Sequence, residues 1–186
     1  MGELKSAWEI AQERAARLGK LSPEEEEEQE RQRCREIGQA LAQKWLGSSQ
    51  ELDLTAELAK HEQKEEAVIK QALIEHLVRA IELTAPQGVS TSKRIIEVIS
   101  SLQPELQSRA TEISQLIQEY ELAEQRIRQE LESKGRETLH QLRISGTAVG
   151  AINIEAAQEW QLARQELMES LTPQLDKLKR TLTSSP

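Results

Sequence analysis

Apolar residues recur at helical spacing along nearly the whole chain, and the interruptions carry most of the information. Ala7, Ile10, Ala11, Ala15 and Leu18 share one face, with Trp8 beside it, the stripe of an amphipathic helix. Ser6 and Glu9 form a capping box at its start, and Gly19 ends it. A second helix opens in "LSPEEEEEQE": Ser22 is the N-cap, Pro23 occupies the first turn and Glu25 completes a capping box. Glu24 to Glu28 put negative charge at the positive end of the helix dipole. Glu27 and Arg31 are spaced for an ion pair. The stripe continues through Ile37, Ala40, Leu41 and Trp45 to Gly47.

From a start between Ser49 and Thr55, a long third helix is expected to run to Pro86 and Gly88, its stripe formed by Leu54, Leu58, Val68, Ile69, Ala72, Leu73, Leu77, Ala80 and Ile81. Its middle, "KHEQKEE", is polar all round and so crosses solvent or packs weakly. A shorter helix follows through "KRIIEVISSL", capped by Ser90 or Thr91. Pro104 then opens another long helix that reaches about Arg143, about 60 Å at 1.5 Å per residue. Along it, Ala110, Ile113, Ile117, Tyr120, Glu124, Ile127 and Leu131 alternate steps of three and four. That is a heptad seam with one polar member, Glu124, which sets register at some cost in stability. The last helix begins near Asn153 and carries Ile154, Ala157, Trp160, Leu162, Leu167 and Leu171, with Pro173 kinking or restarting it.

The expected fold is all-α: a multi-helix bundle with one or two long coiled-coil-like helices. It forms a single helical unit over 1–186, made of an N-terminal helical hairpin (1–50), long helices (51–145), and a glycine turn with a final helix (146–186). Composition agrees. Hydrophobic residues are 37% and charged residues 30% of the chain, with no Phe, one Tyr and three Trp. So few aromatics favour thin helix–helix seams over a deep core. The net charge of −8 repels nucleic acid and anionic membranes on average, so neither is an expected partner. No stretch is apolar for the ~20 residues a membrane span needs. The lone Cys34 excludes an intrachain disulfide and fits a reducing cytoplasm. The arginines beside it would favour a reactive thiolate, but a small residue on a helix is the plainer reading.

Catalytic constellations are poor. There is no nucleophile elbow, P-loop or dinucleotide fingerprint, so no enzymatic activity and no cofactor are expected. One pattern suits a metal: Glu137 and His140, at i and i+3, match the Glu-x-x-His pair of carboxylate-bridged bundles, and a dimer would supply a second copy. His61 with Glu57 or Glu65 is another spacing that chelates. Glutamate-rich helices produce both by chance.

"LRISGTAVGAIN", Leu142 to Asn153, has no charge after Arg143. Val149, Ile152 and Ile154 have some strand preference, and a packed turn at an interface suits the run better than a hinge or ligand loop. Together with "KSAWEIA", Lys5 to Ala11, its Ile-Ser-Gly-Thr-Ala-Val motif resembles a small family of bacterial helical proteins of unknown function. That resemblance covers the two ends of the chain and implies no activity. The leading expectation is a cytoplasmic interaction or scaffold protein acting through self-association as a homodimer, with another protein as a further possible partner. Ile113, Ile117, Tyr120, Ile127 and Leu131 would form the seam, and Val149, Ile152 and Trp160 would add to it. A holdase-like chaperone or assembly arm, and a carboxylate–histidine metal protein, are the alternatives.

Overall fold

A computed structural model describes residues 22–48, 52–84, 87–144 and 152–183. Every regular element among them is helical: α1 (Pro23–Gly47), α2 (Leu54–Leu58), α3 (Gln63–Arg79), α4 (Gln87–Leu102), α5 (Gln107–Gln141) and α6 (Gln158–Thr183). Short 3₁₀ turns, Pro104–Leu106 and Ile154–Ala156, lead into α5 and α6. The expected helix at Ser6–Gly19, with Trp8, lies outside the described residues. Contacts divide the chain into two compact units, Met1–His76 and Leu77–Pro186.

In the first unit, α1 starts as its sequence dictates. Ser22 Oγ accepts from the Glu25 amide at 3.2 Å, and a Glu25 carboxylate oxygen accepts from the Ser22 amide at 2.7 Å. These bonds hold the Glu25 carboxyl below its usual range. Arg31 pairs with Glu27 at 2.9 Å. The buried face of α1 is Cys34, Gly38, Ala42 and Trp45, three small residues one turn apart followed by an aromatic anchor. Gly38 sits directly against the Ile69 carbonyl of α3. Burial pushes the Cys34 thiol up, away from the reactive thiolate its arginine neighbours suggested.

The expected long third helix is in fact two. Asp53 caps α2, accepting from the Ala56 amide at 3.0 Å, and both apolar residues of α2, Leu54 and Leu58, are buried. The chain then turns at Ala59–Glu62, with the His61 amide bonded to the Leu58 carbonyl at 3.1 Å. The all-polar "KHEQKEE" stretch offers no face to hold a helix through this point, and propensity alone does not sustain one.

The second unit begins with the end of α3. The helix stops at Arg79, seven residues before Pro86, because Ile81 and Leu83 turn inward and are buried. The cap was expected at Ser90 or Thr91, but α4 already begins at Gln87. Ser92 lies inside α4, fully buried, where its hydroxyl both accepts from the Glu82 amide at 2.8 Å and donates to the Glu82 carbonyl at 2.9 Å. One side chain thereby satisfies both backbone groups of a residue that has left the helical ladder. The apolar stripe of α4, which includes Val89, Ile95, Ile96, Ile99 and Leu102, packs on α5. Lys93 fixes one end of this contact by reaching Glu121 at 2.7 Å.

α5 and α6 form an antiparallel hairpin. Arg109 near the start of α5 donates to the Thr181 carbonyl near the end of α6, and Arg128 reaches Glu155 at 2.9 Å. Helix α6 continues through Pro173 without restarting. Thr172 bonds back to the Met168 carbonyl at 2.7 Å beside the lost amide. At the far end, α5 closes with Arg143 at φ 54°. The Arg143 amide bonds to His140 O at 3.0 Å and the Ile144 amide to Leu139 O at 2.9 Å, the bonding of a Schellman motif. Residues 145–151, with Val149, lie outside the described set, and so does the question of whether that run is a packed turn. The chain is described again at Ile152, which rests on Gly135 of α5: a Cβ there would lie 2.9 Å from Ile152 Cδ1. Gly135 is the notch that admits the returning chain.

Candidate interaction site on the helical hairpin

The hairpin seam is built from one face of each helix. On α5, Ala110, Ile113, Ile117 and Tyr120 are all buried. On α6, Trp160, Leu171, Leu175 and Leu182 are buried opposite. Ile113, Ile117, Tyr120 and Trp160 were expected at a self-interface, and the structure places them inside one chain. Ile127 and Leu131, further along, are only half-buried.

Each stripe contains one charged residue, and the two meet. Arg164 Nε lies 3.5 Å from Glu124 Oε1 and donates to the Tyr120 hydroxyl at 3.4 Å. That hydroxyl donates to Glu124 at 3.4 Å. Arg164 follows Trp160 by one helical turn, and Glu124 follows Tyr120 by one turn. A single charge of opposite sign on each of two apolar stripes was the sequence signal that pairs these helices; Glu124 was noted and Arg164 was missed. A turn further out, Arg128 stands over the Trp160 ring, 5.2 Å from its centroid, while holding Glu155. Between these groups runs an open groove of about 840 Å³, lined by both ion pairs together with Trp160, Met168 and Glu169. Its guanidinium groups are already matched to carboxylates.

Burial raises the Tyr120 phenol above its ordinary value of about 10, an effect the Arg164 hydrogen bond only partly offsets. The raised value means that folding favours the neutral phenol. Its contribution to stability is complete below the ordinary value and is lost as pH rises through the folded one. Because Tyr120 is the only tyrosine, ultraviolet difference titration reads it alone. The expected midpoint lies above that of the urea-unfolded chain, and the Arg164→Gln variant should raise it further. Equal midpoints in folded and unfolded protein would mean that the ring is solvated.

The candidate metal residues lie elsewhere. Glu137 and His140 are exposed near the end of α5, and Glu137 accepts from Gln141 at 3.5 Å. His61 Nδ1 is 3.7 Å from Glu65, while Glu57 pairs with Lys60 at 2.7 Å. Among the described residues, no three His, Cys, Asp or Glu side chains come together as a metal site would require, and no helix is long and apolar enough to cross a membrane. The chain matches no protein-family model, and no curated protein or solved structure is significantly similar to it.

Proposed function

We propose that this is a non-catalytic helical interaction protein of the cytoplasm that works by self-association, through the part of the α5–α6 hairpin that its own chain leaves uncovered. One observation carries the reading. The large apolar side chains that stand exposed among the described residues, Leu122, Leu142, Ile144 and Leu162, all belong to this hairpin and its tip. Their relative exposures run from 50 to 64%. Exposed leucines scattered singly need no explanation, but their confinement to one element does. The half-buried Ile127 and Leu131 lie on the same arm. A two-helix arm has no third layer to close its core, and a second chain supplies one.

Light scattering on a sizing column, over a wide range of concentration, tests this. The expected mass exceeds the 21.1 kDa of one chain and falls when Leu142 and Ile144 are both changed to Glu. A monomer at every concentration sinks the reading.

A further inference from the structure

The α5–α6 hairpin changes character at Tyr120. Helix α5 has 35 residues, yet its buried positions, Ala110, Ile113, Leu116, Ile117 and Tyr120, all fall between Gln107 and Tyr120. From Glu121 to Gln141 every residue is half-buried or exposed. The reason is the third helix. α4 packs on α5, and Lys93, in the second turn of α4, already reaches Glu121. Little of α4 remains to cover α5 further out, because α4 begins at Gln87. Beyond that level α5 has the returning chain against it and no third layer. Ile127 and Leu131 stay half-buried there, and the returning chain adds Ile154 and Trp160, both buried. The stem below Tyr120 is thus three layers thick and the arm above it two. Helices owe their stability in a protein to packing more than to propensity, and local opening follows the density of buried contacts.

Few polar contacts tie the two sides of the arm together. Arg128 and Glu155 pair at its surface, with side chains 47% and 69% exposed, and such pairs contribute little. Glu124 and Arg164 are better sheltered, at 21% and 31%, and the Tyr120 hydroxyl bonds to both. This cluster stands at the junction itself. Tyr120 is the last buried residue of the stem, and Glu124 and Arg164 are the first pair of the arm. Removing either charge strands the other in a seam that is shielded from water.

We propose that the arm beyond Tyr120 opens and closes as a cooperative unit of its own, latched by the Tyr120–Glu124–Arg164 cluster, while the three-helix stem stays folded. Opening bares the faces of Ile127, Leu131, Ile154 and Trp160 that the closed arm covers. The device belongs to the single chain and does not rest on the self-association reading.

Hydrogen exchange followed by mass spectrometry on the full chain, at low urea concentrations, tests it. The protein is diluted until sedimentation velocity gives the mass of one chain, so that no second copy protects the arm. Amides of α5 from Gln125 to Glu137 are expected to open together with those of α6 from Leu162 to Gln165. They open at least tenfold more often than Ala110–Tyr120 and with a weaker dependence on urea, since less surface is exposed. Two variants then separate the units. Ile117→Ala speeds exchange in the stem and leaves arm opening unchanged, because Ile117 keeps its surroundings when the arm opens. Arg164→Gln raises arm opening about tenfold, and stem exchange with it, because unfolding of the stem includes loss of the arm. Glu124→Gln acts in the same direction, and the double variant loses less than the two single losses together, as partners in one cluster do. If Ile117→Ala speeds the arm as much as the stem, the second unit opens as one piece and the proposal falls. If Arg164→Gln leaves the arm unchanged, or if the two charge variants add fully, the cluster is not its latch. Neither failure bears on self-association, which is read from mass against concentration.

Discussion

Replacing Gly38 by alanine is expected to destabilise the first unit, although alanine is the better helix former by about 1 kcal/mol. A methyl group at this position would lie 2.8 Å from Ala72 Cβ and 3.0 Å from the Leu73 nitrogen, and nearer still to the Ile69 carbonyl oxygen. Two of these three neighbours are backbone of α3, which no side-chain rotation can move. α1 and α3 must separate, and the contacts of Cys34, Ala42 and Trp45 loosen with them. Forcing atoms into a packed seam costs about 1–3 kcal/mol, which outweighs the gain in propensity. Gly47 provides the control. It ends the same helix with nothing within 4 Å of a built Cβ, so Gly47→Ala should be neutral or slightly stabilising. Urea unfolding followed by circular dichroism compares the two. A Gly38→Ala midpoint at or above wild type would show that α1 does not pack on α3 as described, and Gly38→Val should lie lower still.

The second large effect is expected at Ile117. The side chain is fully buried in the middle of the α5 face that meets α4 and α6. Truncation to alanine removes three carbons where three helices limit collapse, and such changes cost about 2–5 kcal/mol. That is a large share of the ~5–15 kcal/mol by which domains are stable. Leu131→Ala, on the same heptad stripe but half-buried, should cost clearly less. A homotypic seam used equally along its length would make the two losses similar and dependent on protein concentration. The expected result is unequal losses, with the Ile117→Ala loss independent of concentration, because Ile117 packs within its own chain.

Helix starts were readable where the signal is local. The Ser22–Glu25 box and Pro104 act through bonds and dihedrals within a few residues, and the structure places α1 and the lead-in to α5 where these residues put them. The all-α class was readable for the same reason, since period and capping repeat from element to element. Helix ends were less legible. The stop of α3 at Arg79 and the break after Leu58 depend on where Ile81, Leu83, Leu54 and Leu58 find burial, and no nearby residue encodes that. Ser90 and Thr91 looked like capping residues because their type suits caps, yet α4 already begins at Gln87. The bonds of Ser92 to Glu82, ten positions away, exist only once the chain has turned back.

The seam divides along the same line. Heptad spacing by itself determined that Ile113, Ile117 and Tyr120 share a buried stripe, since 3.6 residues per turn puts them on one face whatever covers it. It held no information on what covers it. Burial is satisfied equally by a helix of the same chain or of another, and the choice turns on whether the chain can return. Only the tertiary structure decided that: Gly135 admits Ile152, Arg128 takes Glu155, and α6 runs back along α5 with Arg164 meeting Glu124. The first half of the stripe is thereby closed within one chain, while the outer edges, at Leu122 and Leu162, are left facing solvent.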